Sequence, residues 1–271
     1  MNEENRIMKP SLKESILEGL EKQTGQVGFY YKNLITGETL TYRGQDSFLA
    51  ASVIKLPIFM CISKWCAEGK ASMEERIRVK NEDKLPICGA LTLFTDEPFV
   101  DIRTLCNLMI SLSDNTATNL LIRRFGIEAY QKEFLQIGLK HTVLNRLLFD
   151  PEASARGLQN RIVPAEMGML LEKIYRRAFV DPQVSEDIEK VLLLQQINHK
   201  IPGKIGEGVV PIAHKTGEDD NLTNDVGLIY TKEPFILAFA GYDTCVGDFE
   251  DLMREVSYQL FRENNGNTAA V

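Results

Sequence analysis

The chain has 271 residues, 44% of them hydrophobic and 25% charged, and a formal net charge of −7. That apolar content builds one large core or two small ones and excludes wholesale disorder. The acidic balance, with no basic stripe, excludes a nucleic-acid phosphate backbone as partner.

Five cysteines (Cys61, Cys66, Cys88, Cys106 and Cys245) occur without a CxxC pair. The odd number and the spacing argue against a disulfide framework or a structural zinc site. Cys61, Cys66 and Cys106 sit in apolar helical patterns and read as small core residues, which suits a reducing compartment. Residues 1–6 are charged with no apolar run behind them, and no stretch reads as membrane-spanning. The localisation expected of the chain as it stands is cytoplasmic, or exported if a leader has been removed.

Along the chain, Ser11-Leu12-Lys13-Glu14 has the pattern of a capping box. Leu12, Ile16, Leu17 and Leu20 follow at helical spacing until Gly25. Strands are expected at 27–31 and 39–42, joined by a turn at Thr36-Gly37. From 52 to about 194 helical patterns dominate, with examples at 56–66, 102–110, 116–125 and 165–175. Strand signals return at 209–213, 225–230 and 235–240. A last helix then carries Phe249, Leu252, Met253, Val256 and Leu260 on one face, before a polar tail at 264–270.

This order predicts an α+β fold in which an antiparallel sheet is built from both ends of the chain. N- and C-terminal helices flank the sheet, and an all-α lobe is inserted. The expected division is one discontinuous domain, with 1–51 plus 206–271 as the sheet lobe and 52–205 as the helical lobe. A cleft between the lobes is the favoured place for a ligand.

Three short motifs carry chemistry. Ser52-Val53-Ile54-Lys55 precedes an apolar helix with Pro57 near its start, which puts Ser52 at free backbone N–H groups and the positive end of the dipole. Lys55, three residues on, shares a face with Ser52. Desolvation, the helix end and a second cation would lower its pKa, so that a neutral amine takes the serine proton. A bare S-x-x-K is weak, since about one match is expected by chance in a chain of this length. Taken alone, Ser52 reads as a helix cap and Lys55 as a side chain reaching to solvent.

Ser113-Asp114-Asn115 falls between two apolar helices. By itself it is a loop and an N-cap. As chemistry, Ser113 relays a proton between Lys55, Lys215 and a leaving nitrogen, and Asn115 holds a substrate amide. Lys215-Thr216-Gly217 is expected to close the strand 209–213 at a sheet edge. Lys215 and Thr216 offer a cation and a hydroxyl to a carboxylate, and Gly217 leaves room for a substrate lying along the edge. The S-x-x-K and K-T-G matches occur once each in the chain. Three matches in this order are far rarer than any one of them.

The triple resembles the signature of class A β-lactamase-like and penicillin-binding-protein-type serine hydrolases. The run Ser113-Asp114-Asn115-Thr116-Ala117-Thr118-Asn119-Leu120-Leu121 is especially close, and the likeness extends from about residue 25 to the C-terminal helix. The resemblance implies Ser52, Lys55 and Ser113 as catalytic residues. It implies Asn115, Lys215, Thr216, Gly217 and Glu218 as substrate-binding residues, with an oxyanion hole at the N–H groups of Ser52 and Glu218. No cofactor or metal is called for, and the partner is a small molecule, a β-lactam or a related amide or ester.

The chain departs from the family in one place. The E-x-x-L-N motif that carries the deacylating glutamate is absent. The corresponding loop, 144–163, offers Asp150 as the closest match and Glu152 as a second candidate. Ser154 stands where the family has asparagine, and Glu166 reads as a first-turn helix carboxylate. Three functions follow in order: β-lactam hydrolysis through acyl-Ser52, a penicillin-binding-protein-like peptidase or esterase with slow deacylation, and a non-catalytic sensor. The two short basic spots, 200–204 and Arg123-Arg124, and the histidines His141 and His199 read as solvated surface. His214 is expected to point away from Lys215 by strand alternation.

Overall fold

The computed structural model describes residues 8–266. The charged stretch 1–6 and the part of the polar tail beyond 266 lie outside the described residues. A five-stranded sheet is assembled from β1 (Gln26–Asn33), β2 (Thr39–Tyr42), β7 (Ile212–Asp219), β8 (Leu222–Ile229) and β9 (Phe235–Tyr242). Its order is β2-β1-β9-β8-β7, and each neighbouring pair is antiparallel. The N-terminal strand β1 thus pairs with the last strand, β9, and β7 forms an edge.

Alternation along β9 explains how both faces are covered. Phe235, Leu237 and Phe239 face a core shared with α1 (Pro10–Glu21) and α9 (Val246–Asn264), which contribute Ile16, Leu20, Phe249, Met253 and Leu260. Ile236, Ala238 and Ala240 face the larger core, which holds Ile54, Leu56, Ile58, Met60, Leu105, Met109 and Leu121. Phe239 lies between Phe29, at a centroid distance of 5.0 Å, and Phe249, at 6.3 Å. Truncating such a ring to alanine costs about 3–5 kcal/mol.

The middle of the chain supplies α2 (Lys55–Ala67), α3 (Ile102–Ser111), α4 (Asn115–Phe125), α5 (Ile127–Ile137), the short α6 (Pro151–Ala155), α7 (Pro164–Tyr175) and α8 (Pro182–Leu192). Two-residue strands β3 (Phe48–Leu49) and β6 (Arg161–Ile162) pair beside the sheet, and β4 (Arg76–Arg78) pairs with β5 (Phe99–Asp101). Helix α7 lies on the sheet itself. A Cβ at Gly168 would stand 2.3 Å from the Tyr30 ring, so only glycine allows this approach.

Two local expectations are corrected. The capping box at Ser11 does not form: α1 begins at Pro10, and its N-cap residue Lys9 makes no side-chain cap. Proline fits the first helical position and moves the start ahead of Ser11. Strand β7 begins at Ile212 and continues through Asp219, so Lys215-Thr216-Gly217 lies inside the strand. The polar motif residues are carried by pairing with β8, which the apolar pattern alone does not register.

Candidate active site

Ser52 lies in a 3-10 turn, Ala51–Ile54, that feeds directly into α2. Ala51 adopts φ of 39°, a left-handed conformation costly for a residue with a Cβ. The surroundings hold it there. Asn224 of β8 donates from Nδ2 to the carbonyls of Leu49 (2.9 Å) and Ala50 (3.0 Å), and the Ala50 N–H donates to Asn160 O (3.0 Å). Edge strand β7 then passes directly in front of the serine. A Cβ at Gly217 would stand 2.9 Å from Ser52 N and 3.0 Å from Val53 N. Any other residue there would press on the amides at the start of the helix.

Lys55 is fully buried. Its Nζ donates to Ser113 O (2.7 Å) and Asn115 Oδ1 (2.7 Å), with Ser113 Oγ at 3.0 Å. Burial, and then the second cation Lys215, hold its pKa well below the usual lysine value. Two obligate acceptors take two of its N–H bonds, and the Ser113 hydroxyl stands at the third position.

Ser113 adopts φ of 54°, and its hydroxyl lies between the two lysines, with Lys215 Nζ at 3.2 Å. Lys215 also donates to Thr216 O (2.6 Å). Burial brings its pKa down to about 7, against the upward pull of Asp225 and with the repulsion of Lys200. Lys55, Ser113, Asn115 and Lys215 therefore form one cluster, and Thr216 and Gly217 continue along the edge strand in front of Ser52. His214 points elsewhere, to Asp225 Oδ1 (3.0 Å) and Asn198 Oδ1 (3.0 Å).

Several contributing residues escaped the sequence reading. Asp114, taken only as a loop cap, accepts from Ala117 N (2.9 Å) and also fixes the facing loop through Ala90 N (2.8 Å) and Leu91 N (2.9 Å). Asn119 stands one turn beyond Asn115 on α4. It clamps Leu148 from both sides, donating to Leu148 O and accepting from Leu148 N, each at 2.9 Å. The loop residue pinned to the motif helix is therefore a leucine. Asp150 is the N-cap of α6 and accepts from Ala153 N (2.9 Å), while Glu152 is exposed on the first turn of that helix. Glu166 stands in the first turn of α7, as expected, and accepts from the amides of Lys140, His141 and Thr142.

Lys200, read as solvated surface, is instead fully buried. A reading from local charge misses it because its partners lie on other elements: Gly217 O (3.1 Å), Asn224 O (3.2 Å) and Glu218 Oε1 (3.0 Å). His199 is exposed, yet it converges with Glu218 and Glu250, a grouping with no signal in the sequence. Lys200 and Arg254 already face those carboxylates.

Residues 11–262 match the model of the beta-lactamase enzyme family. The chain is 24% identical to beta-lactamase ROB-1 of Haemophilus influenzae over 233 residues, which span 82% of this chain and 74% of that protein. A beta-lactamase from Sphaerobacter thermophilus superposes with a TM-score of 0.87 at 24% identity, covering 97% of this chain and all of the other. PBP-A superposes with a TM-score of 0.84 at 27% identity, covering 93% of this chain and 95% of the other. A leucine-to-glutamate mutant of PBP-A, solved as an acyl-enzyme complex with penicillin G, matches to the same extent. The fold is thus that of beta-lactamases and PBP-A. The chain belongs to the beta-lactamase enzyme family, and at the level of that family it is a hydrolase acting on the amide bond of β-lactams. Among the described residues, no helix is long and apolar enough to cross a membrane.

Proposed function

We propose that the protein is a serine acyl enzyme that opens β-lactams at Ser52 and releases the acyl group slowly. The observation that carries this reading is the buried cluster of Lys55, Ser113, Asn115 and Lys215 beside the Ser52 turn. Neutral Lys55 accepts the Ser52 proton as Oγ attacks the lactam carbonyl. The N–H groups of Ser52 and Glu218 receive the oxyanion at the positive end of the helix. When the tetrahedral intermediate collapses, the C–N bond breaks, and Ser113 passes the proton from Lys55 to the leaving nitrogen. Protonated Lys215 holds the substrate carboxylate. Asn115 Nδ2, which donates to Ile87 O (3.0 Å), ties the facing loop to this floor.

Slow release follows from loop 144–163. Hydrolysis of the ester needs a base that activates water. The loop presents Leu148 where it is clamped to the motif helix, and Asp150 is committed to capping α6. The likeness to PBP-A, whose leucine-to-glutamate mutant was solved as an acyl-enzyme with penicillin G, supports the acylation half of this reading. The protein then resembles a penicillin-binding protein more than a fast β-lactamase.

Intact-protein mass spectrometry during incubation with penicillin tests both halves. One penicilloyl group per chain should form and persist over many minutes, and Ser52→Ala should form none. An adduct that survives in Ser52→Ala, or a wild type with no adduct, removes Ser52 from its role. Rapid turnover with no accumulated adduct restores fast hydrolysis.

A further inference from the structure

Lys200 is the buried cation that the acylation chemistry leaves without a task. It lies in the connection between α8 and β7, and its side chain is fully buried. Its two carbonyl partners belong to one facing pair, since Gly217 of β7 is the cross-strand partner of Asn224 of β8. Side chains at 215 and 217 share the face of β7 turned toward Ser52, and those at 216 and 218 share the other. Lys200 meets the Glu218 carboxylate at 3.0 Å, so it stands behind the strand while the Ser52 amide stands in front. Asn224 continues the link, because its side chain holds the Leu49 and Ala50 carbonyls that set the Ser52 turn. Buried polar groups without partners are costly, so the lysine and the two carbonyls hold one another in place.

We infer that Lys200 is a positioning residue for acyl transfer: from behind the edge strand it fixes the Gly217-Glu218 backbone against Ser52. The inference rests on the acyl-enzyme reading for its rate effect. It also has an electrostatic side that does not depend on that reading. Lys215 is faced by Lys55 from α2, by Asp225 from β8, by Glu218 on its own strand, by Cys88 from the facing loop and by Lys200. Lys200 itself is faced by Glu218, Glu250 and Asp225. Removing Lys200 takes one cation from beside Lys215 and leaves the others.

The test compares wild type with Lys200→Met. Displacement of a reacting group by about 1 Å costs on the order of 10²-fold in rate, so penicillin acylation should slow by about 10- to 100-fold. Titration of Lys215 followed by NMR with isotope-labelled lysine should move upward from about 7 in Lys200→Met and stay in place in Lys200→Arg, which keeps the cation; a rise in both would mark loosened packing and overturn the electrostatic role. If the methionine variant does not fold, Lys200→Gln decides the matter: it keeps two N–H donors without the charge, so the rate should fall less while the titration still rises. Acylation within about twofold of wild type in the folded variant overturns the positioning role, and an unmoved Lys215 titration overturns the electrostatic one. A wild type that forms no penicilloyl adduct sinks the acyl-enzyme reading and the rate effect together, and the titration still decides the electrostatic claim.

Discussion

Lys55 and Leu148 are both held by α4, through asparagines one helical turn apart, yet the two regions they represent differ in every physical respect. Asn115 receives Lys55 into a fully buried polar cluster built on α2, α4 and β7. Asn119 receives the backbone of Leu148, in a loop whose carboxylates are engaged in capping or exposed. The first region places side chains that move protons. The second pins the backbone of an aliphatic residue to the motif helix, and in the proposed function no base stands there for ester hydrolysis. In the proposed function this contrast is what separates acylation from turnover.

The largest expected effect separates the floor from everything else. Lys55→Met should slow acylation by about 10²- to 10⁴-fold, measured as the rate of adduct formation. The variant should stay folded. Unpaired Ser113 O and Asn115 Oδ1 cost stability, loss of a desolvated amine returns it, and the two offset to within about 2 kcal/mol. Near-wild-type acylation would show that Lys55 is not the base. The converse change is Leu148→Glu, which puts a carboxylate on the clamped loop residue. It should accelerate release of the penicilloyl group by about 10²-fold, seen as an adduct that no longer accumulates. If the adduct persists unchanged, the loop does not reach the ester and the contrast between the two regions has another origin.

These regions were also unequally legible in the sequence. Spacing put Lys55 on the face of Ser52, and the three motifs in order carried the family resemblance that brought Ser113, Asn115 and Lys215 to the same site. The helix at 102–110 was readable from apolar period because it buries one face, and those at 56–66 and 116–125 from their apolar runs, which are buried on nearly every side. Lys200 and the Asn119 clamp were not readable. Their partners are Gly217 and Asn224 in one case and Leu148 in the other, all fixed by tertiary contact. A charge run such as 200–204 looks like surface until the fold shows that its first member is enclosed. Asp150 was the nearest carboxylate to a missing motif. What spacing could not show is that the following Pro151 starts a helix whose free amides claim it.

A smaller effect comes from pH. Lys215 titrates at about 7 in the folded protein. Above that pH its charge is lost, so acylation by a carboxylate-bearing penicillin should fall by up to tenfold per unit, while a neutral ester substrate should lack this limb. The stability sign runs the other way. The folded pKa lies below the unfolded value, so between pH 7 and about 10.5 the unfolded chain binds more protons, and stability rises with pH through that window. The destabilising contribution is complete below pH 7. Denaturant titrations across pH 7 to 10 check it, and a flat or falling contribution from Lys215, isolated with Lys215→Met, would contradict the buried placement.

The smallest effect concerns Asp150. As the N-cap of α6 it accepts one amide hydrogen bond, and Asp150→Ala should cost about 1 kcal/mol of stability, read from a shift in the denaturation midpoint at constant slope. Asp150→Asn should cost less, since asparagine caps nearly as well. Neither change should alter the lifetime of the penicilloyl adduct, because a carboxylate that holds a helix end is not the group that activates water at Ser52. A base and a cap respond differently to this pair of substitutions. A base is lost equally in alanine and asparagine, and the adduct would then live longer in both. A cap survives in asparagine, and only alanine would register, in stability alone. An adduct lifetime that lengthens in Asp150→Asn would return this carboxylate to catalysis and leave Leu148 as a neighbour of the reaction.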